Sequence, residues 1–133
     1  MPSKDFPQTR SGMVDALTFV ELETRRLRNI QEDVVDRVVL VVGEVLANAI
    51  EHGGSDPRRL MGVEVGGSGA AVELEIREAS DAVQPAWFDE ACLPHDVLAT
   101  GGRGLFLVRS LADGIEAGGA RGLRFTFSPR RPL

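Results

Sequence analysis

One stretch decides the fold: Glu44-Val-Leu-Ala-Asn48-Ala-Ile-Glu51-His52-Gly53, the end of a long apolar segment. At about 100° per residue, Glu44, Asn48 and Glu51 fall on one stripe of a helix, with His52 at its edge. The opposite side is covered by apolar residues: Val38, Val42, Val45, Leu46 and Ala49. A helix does not need this polar stripe to fold. A carboxylate, an amide and an imidazole brought together are what a hydroxyl-activating or metal-phosphate site requires.

The segment 33–52 that contains this stripe is predicted to be a single helix. Its many valines would also suit a strand, but the run is too long for one and carries charges at helical intervals. Gly53, Gly54 and Pro57 end the helix, because glycine suits the cap position and proline cannot continue a helix.

Residues 12–29, which precede that helix, are predicted to form another one. Met13, Leu17, Val20 and Leu27 recur near helical spacing. The polar residues 1–11 contain two prolines and predict a flexible N-terminal arm with room for one short strand.

The second half of the chain alternates between strand and helix patterns. Val63 and Val65, then Val72, Leu74 and Ile76, alternate with polar residues on either side of a glycine-rich turn, which predicts an antiparallel hairpin with one solvent-facing side. Residues 79–103 lack clean periodicity and are predicted to be a lid. The remaining predictions are a helix at 104–112 and strands at 114–117 and 122–128.

This order of elements predicts an α+β fold. Helices would cover one face of a mostly antiparallel sheet, giving a two-layer α/β sandwich. A chain of 133 residues with 43% hydrophobic content supports one core. We therefore expect a single domain at 12–128, between the arm 1–11 and a tail 129–133.

Composition restricts the partners and the compartment. A net charge of -5 and a pI near 5.0 argue against nucleic acid as a partner. The two short basic clusters, at 25–28 and 130–131, are interpreted as solvated. A single cysteine, Cys92, excludes an internal disulfide and a cysteine-based metal site. No signal region or membrane span is recognisable, so we expect a soluble cytoplasmic protein without a membrane partner.

A second chemical signal is Gly101-Gly-Arg-Gly104, placed directly before Leu105-Phe-Leu-Val108. Glycines let a backbone approach a ligand closely, and a helix start offers free amides and a positive dipole end to phosphate oxygens. Taken alone, a glycine-rich turn before a helix is more often a plain connection. Its value lies in its pairing with the polar stripe.

Over residues 12–128 the chain resembles the GHKL-type ATPases, which have a Bergerat-type fold, and among them the small anti-sigma-factor serine kinases of the RsbW/SpoIIAB type. The N-box of that family is similar to the stretch from Glu44 to Gly53. Its second glycine box is similar to Gly102-Arg-Gly104-Leu-Phe-Leu-Val-Arg-Ser-Leu-Ala-Asp113. Two separated motifs in the right order make the resemblance specific.

The resemblance implies that ATP and Mg²⁺ are the cofactors and assigns roles to the stripe. Glu44 would be the general base that accepts the proton of an attacking serine hydroxyl. Asn48 would hold the magnesium that bridges the ATP phosphates, and His52 would border the nucleotide pocket.

The resemblance also assigns roles to the glycine boxes. Gly102 and Gly104 would give backbone contacts to phosphate, and Arg103 would be a partner for the γ-phosphate. In the family's first glycine box an aspartate recognises the adenine amino group.

The chain departs from the family at that first glycine box. Glu78 stands where the aspartate is expected, and Ser80 and Ala82 replace both glycines. Glutamate keeps the acceptor but carries it one methylene further, and the two added Cβ atoms lie where the backbone should approach the base.

Three functions therefore remain open. The first is an ATP- and Mg²⁺-dependent protein-serine kinase that binds a sigma factor and phosphorylates a STAS-type antagonist. The second is a non-catalytic protein-binding module of the same fold with impaired or absent ATP binding. The third is an ATPase domain of another GHKL branch, such as a histidine-kinase catalytic domain. Residues 1–30 contain no histidine, so they offer no phosphoacceptor-histidine helix, which argues against it. The resemblance also favours a homodimer.

Overall fold

The computed structural model describes residues 1–78, 103–118 and 122–130. Its helices and strands in chain order are β1 Ser3–Gln8, α1 Arg10–Arg26, α2 Glu32–Gly53, β2 Asp56–Ser68, β3 Ala71–Glu78, α3 Arg103–Leu111, β4 Gly114–Ala117 and β5 Gly122–Phe127. Within these residues, five strands form one antiparallel sheet in the order β1-β2-β3-β5-β4. The predicted α+β architecture is confirmed.

The core lies between α2 and one face of the sheet. On α2 it contains the predicted apolar side: Val38, Val42, Val45, Leu46 and Ala49. From the sheet it takes alternate residues of β2, β3 and β5: Met61, Val63, Val65, Val72, Leu74, Ile76, Leu123, Phe125 and Phe127. Burying one such side chain contributes about 1.5–3 kcal/mol. Valine's helix propensity is less favourable than alanine's by at most about 0.7 kcal/mol, so packing outweighs propensity and the valine-rich segment is a helix.

Contacts at both ends of α2 fix its direction across the sheet. At the C-terminal end, the side-chain amide of Gln8 donates hydrogen bonds to the carbonyl oxygens of Gly54, at 2.7 Å, and Ala49, at 3.4 Å. Near the N-terminal end, the Arg37 guanidinium donates to the carbonyl of Ser128, the residue that follows β5. α2 therefore runs from the Ser128 end of the sheet to the Gln8 end.

The arm predicted at residues 1–11 contains the short strand for which the sequence left room, because β1, Ser3–Gln8, is an edge strand paired antiparallel with β2. Alternate side chains point inward, so Phe6 and Gln8 are buried. The Phe6 ring packs 5.7 Å from the Phe19 ring, measured between centroids. Pro7 is tolerated because an edge strand leaves one row of backbone groups unpaired.

α1 begins two residues before its predicted start and ends three residues before its predicted end. Thr9 is the N-cap, and its side-chain oxygen accepts a hydrogen bond of 3.0 Å from the Gly12 amide, which satisfies a free donor at the helix start. The helix stops at Arg26. Asn29 then takes a φ of +63°, which asparagine tolerates better than most residues.

The other predicted elements agree with the structure, apart from the limits of the hairpin. β2 begins at Asp56 and reaches Ser68, so the turn lies at Gly69, with a φ of +63°, rather than across all of 66–69. Gly54, with a φ of +87°, follows α2 as a glycine stop should. Residues 79–102 of the predicted lid lie outside the described residues. None of the described helices has the length and apolar character of a transmembrane span.

Candidate functional site

The polar stripe lies on α2 as predicted, and its exposure changes along the helix. Glu44, Asn48 and His52 follow each other at intervals of four residues, so they share one face. Glu44 is half-buried, Asn48 is only 7% exposed, and His52 is exposed. The stripe therefore passes from the edge of the core to the surface at the C-terminal end of the helix.

Asn48 is the unusual member of this stripe. Its side-chain nitrogen is buried and has no hydrogen-bond partner among residues 1–78, 103–118 and 122–130. An unsatisfied buried polar group costs about 1–3 kcal/mol, and asparagine inside a helix gains nothing in propensity. The two ends of an amide are assigned from their hydrogen bonds, so either the oxygen or the nitrogen can face this position. Folding does not explain Asn48, whereas a bound ligand would.

α3 packs beside α2 and carries the predicted glycine box at its start. The side chain of Val108 in α3 lies in the core. The carbonyl oxygen of Leu111, the last residue of α3, accepts a 3.0 Å hydrogen bond from Arg37. Arg103 and Gly104 are its first two residues, about 12 Å from Leu111 at 1.5 Å per residue. The first N–H groups of a helix lack intrahelical partners and carry the positive dipole end. Gly102 lies outside the described residues.

Glu78 is the last residue of β3, at the same end of the sheet as the C-terminal half of α2. β3 runs in the direction of α2, since Val72 pairs with Phe127 beside the start of α2, and Glu78 pairs with Met61 further along. From Val72 to Glu78, β3 advances about 20 Å. Twelve residues of α2 cover a similar length, roughly 18 Å, so the end of the strand lies level with the C-terminal half of the helix. The predicted adenine end and the polar stripe therefore share one end of the fold. Ser80 and Ala82 lie outside the described residues.

Arg37 was missed by the sequence reasoning. It is 4% exposed and donates to Asp33 Oδ2 at 3.0 Å, to Asp113 Oδ2 at 3.2 Å, and to the carbonyls of Leu111 and Ser128. A usable signal existed, because Arg37 lies seven residues before Glu44 and therefore on the same helix face. A charge on the inner side of a valine-rich helix must find partners, and these come from α3 and the end of β5.

Asp113 and Arg130 complete this group, which we name the Arg37 network: Asp33, Arg37, Asp113 and Arg130. Burial raises the pKa of Asp113, but the hydrogen bond from the Ser128 amide and the bond from Arg37 outweigh burial and hold that pKa below its usual 3.8. Arg130 donates to the carbonyls of Ser110 and Leu111 and contacts Asp113 Oδ1 at 3.3 Å. Arg130 is exposed, as its interpretation as solvated implies, and it also bonds the end of α3.

Comparison with known families supplies a context for these residues. A family model described as a histidine kinase-like ATPase domain matches residues 6–127. No curated protein matches the sequence. An ATPase domain binds nucleotide, usually with Mg²⁺. The residues present fit this pair, because Asn48 carries an amide oxygen of the kind that Mg²⁺ prefers, and its buried nitrogen, unpartnered among the described residues, is a donor suited to a phosphate oxygen.

Proposed function

We propose that this chain, which belongs to the histidine kinase-like ATPase domain family, is an ATP- and Mg²⁺-dependent protein-serine kinase of the anti-sigma-factor type. It would bind a sigma factor and phosphorylate a serine on a small STAS-type antagonist, as the motifs of the RsbW/SpoIIAB type imply. One observation carries the proposal. Asn48, whose buried side-chain nitrogen has no hydrogen-bond partner among the described residues, lies one helical turn after the carboxylate of Glu44.

Three residues of α2 would have separate roles near the ATP phosphates: metal binding, proton transfer and lining of the pocket. When bound, Mg²⁺ neutralises charge on the ATP phosphates, and the side-chain oxygen of Asn48 would hold it there. Glu44 would orient the attacking serine hydroxyl and accept its proton on a carboxylate oxygen. His52, one turn beyond Asn48, would border the pocket on its exposed side. This is a sufficient minimum, because phosphoryl transfer is catalysed mainly by positioning and charge neutralisation.

Residues from α3 and β3 would complete the pocket. The backbone amides of Gly102 and Gly104 would contact phosphate oxygens where the helix dipole is positive. Arg103 would pair with the γ-phosphate. Glu78, at the end of β3, would accept a hydrogen bond from the adenine amino group.

Binding of labelled ATP, with and without Mg²⁺, tests the proposal. The wild type should bind, and Asn48→Ala should weaken binding at least about tenfold, because a hydrogen bond to a charged group contributes about 1.5–3 kcal/mol. Gln31→Ala is the matched control: this exposed amide lies at the N-cap of α2 and makes no capping bond. Absence of wild-type binding at millimolar nucleotide would contradict the kinase proposal.

A non-catalytic binding module is the second candidate, favoured by the departures at Glu78, Ser80 and Ala82. It predicts that the partner protein binds equally well with and without nucleotide. An equilibrium binding assay with purified sigma factor distinguishes the two candidates. Nucleotide-independent binding together with no ATP binding would favour the module, and transfer of labelled phosphate to the STAS-type antagonist would exclude it.

A further inference from the structure

We infer that Arg37 is a positioning residue of the ATP site, acting through α3. The inference rests on the proposed function, since it concerns the same site. Within the described residues, the hydrogen bonds of Arg37 go to Asp33, to Leu111 and Asp113, and to Ser128, rather than to the polar stripe. It holds the far end of the helix that carries the glycine box.

The guanidinium of Arg37 joins three segments of the chain at one point. Nε bonds Asp33 on α2, Nη1 bonds both the Leu111 carbonyl and Asp113 at the end of α3, and Nη2 bonds the Ser128 carbonyl after β5. Hydrogen bonds with an ionised partner are about twice as strong as neutral ones. The positive charge also suits the negative dipole end of α3. The end of α3 is therefore fixed to α2.

α2 carries both this attachment and the proposed ligands on one face. Glu44 and Asn48 follow Arg37 by seven and eleven residues, that is, by two and three helical turns. α3 is a single short helix, so a shift of its attached end moves its first residues, Arg103 and Gly104, by a comparable amount. A misplacement of about 1 Å can cost about 100-fold in catalysis. Arg37 thus sets the separation between Asn48 and the amides at the start of α3.

Arg130 adds a second, exposed attachment at the same place. It bonds the carbonyls of Ser110 and Leu111 and pairs with Asp113. Because its side chain is 42% exposed, its removal disturbs the core less than a change at Arg37. Arg130→Gln therefore tests positioning in a variant that should fold.

The experiment compares Arg37→Lys and Arg130→Gln with the wild type. Lysine keeps the charge but lacks the planar fork, so it cannot reach acceptors on all three segments at once. We expect the Kd and KM for Mg²⁺-ATP to rise about tenfold in Arg37→Lys and about threefold in Arg130→Gln, with the KM for the protein substrate unchanged. Amide hydrogen exchange in α3 should also be faster in both variants without nucleotide.

Arg25→Lys is the matched control, because Arg25 bonds Glu21 and Glu32 at the surface and is distant from α3 in the sequence. This variant should leave the Kd, the KM values and the hydrogen exchange of α3 unchanged. A merely structural role would lower the folded fraction, and so the apparent kcat, without moving the KM for ATP. Wild-type ATP binding with unchanged Kd in both variants would overturn only this inference. No wild-type binding would overturn the proposed function and this inference with it.

Discussion

Two neighbouring polar residues of α2 differ in how well the fold alone explains them. Glu44 is half-buried, so water satisfies a carboxylate there at little cost. Asn48 is almost fully buried, and its nitrogen has no partner in the described part of the chain, which folding alone does not favour. Substitution of Asn48 should therefore change ligand binding, whereas substitution of Glu44 should change the rate of phosphoryl transfer.

Glu44→Gln should separate binding from chemistry. Glutamine keeps the shape of the side chain but cannot accept the serine proton at neutral pH, so ATP binding should stay within about twofold while phosphoryl transfer falls about 10²–10⁴-fold. Single-turnover transfer to the antagonist, measured beside equilibrium ATP binding, checks this. Glu51→Gln, the same change at an exposed position of α2, should leave transfer intact. Unchanged transfer in Glu44→Gln would mean that another group is the base.

At the scale of elements, two helical glycines predict opposite effects of alanine. A Cβ on Gly12 would collide with the Pro7 carbonyl oxygen, so α1 would have to move away from β1. On Gly43 of α2 it would lie 3.7 Å from Leu17 Cδ2, an ordinary contact. Gly12→Ala should destabilise by about 1–3 kcal/mol, and Gly43→Ala should stabilise by about 0.5–1 kcal/mol. Urea unfolding of both variants checks the signs; a neutral Gly12→Ala would show that α1 docks loosely.

Local pattern predicted the long elements and gave the short one at the edge only as a possibility. α2 was predicted within one residue at each end because its apolar period repeats over five turns. For β1 the sequence predicts an arm with room for one short strand, because six residues containing serine, lysine, aspartate and proline carry little strand signal. What makes it a strand is pairing with β2, from Ser3 opposite Glu64 to Gln8 opposite Asp56. Such long-range partners are invisible to a short sequence window.

At the scale of the whole molecule, Asp113 makes stability depend on pH. Its pKa is lowered by the fold, so its ionised form stabilises the protein above about pH 3.8, and that contribution is lost as pH falls through the lower folded value. Asp113→Asn should cost about 1–3 kcal/mol at pH 7, and the difference from wild type should shrink toward pH 3. Urea unfolding at both pH values checks this. A difference independent of pH would mean that packing, not charge, carries the effect.

The candidate site was predictable only as far as its motifs are local. Glu44, Asn48 and His52 were found because one helix carries all three at regular spacing. Arg37 and Arg130 were not recognised, because their partners come from segments distant in sequence and periodicity identifies a helix face but not what lies against it. The roles of Glu44, Asn48 and His52 remain predictions, as do those of Gly102, Arg103, Gly104 and Glu78.

The Arg37 network also orders events during synthesis. Asp113 lies 76 residues after Arg37, and Ser128 lies 91 residues after it. At about 5–20 residues per second, the ribosome adds these partners several seconds after the arginine. Burying the guanidinium without Asp113 and Ser128 would cost several kcal/mol, so full packing of α2 against the sheet is unfavourable until they have been added. Until Asp113 and Ser128 have been added, only Asp33 on the same helix pairs with the Arg37 charge, so the attachment of α2 to α3 and to the end of β5 forms late in synthesis.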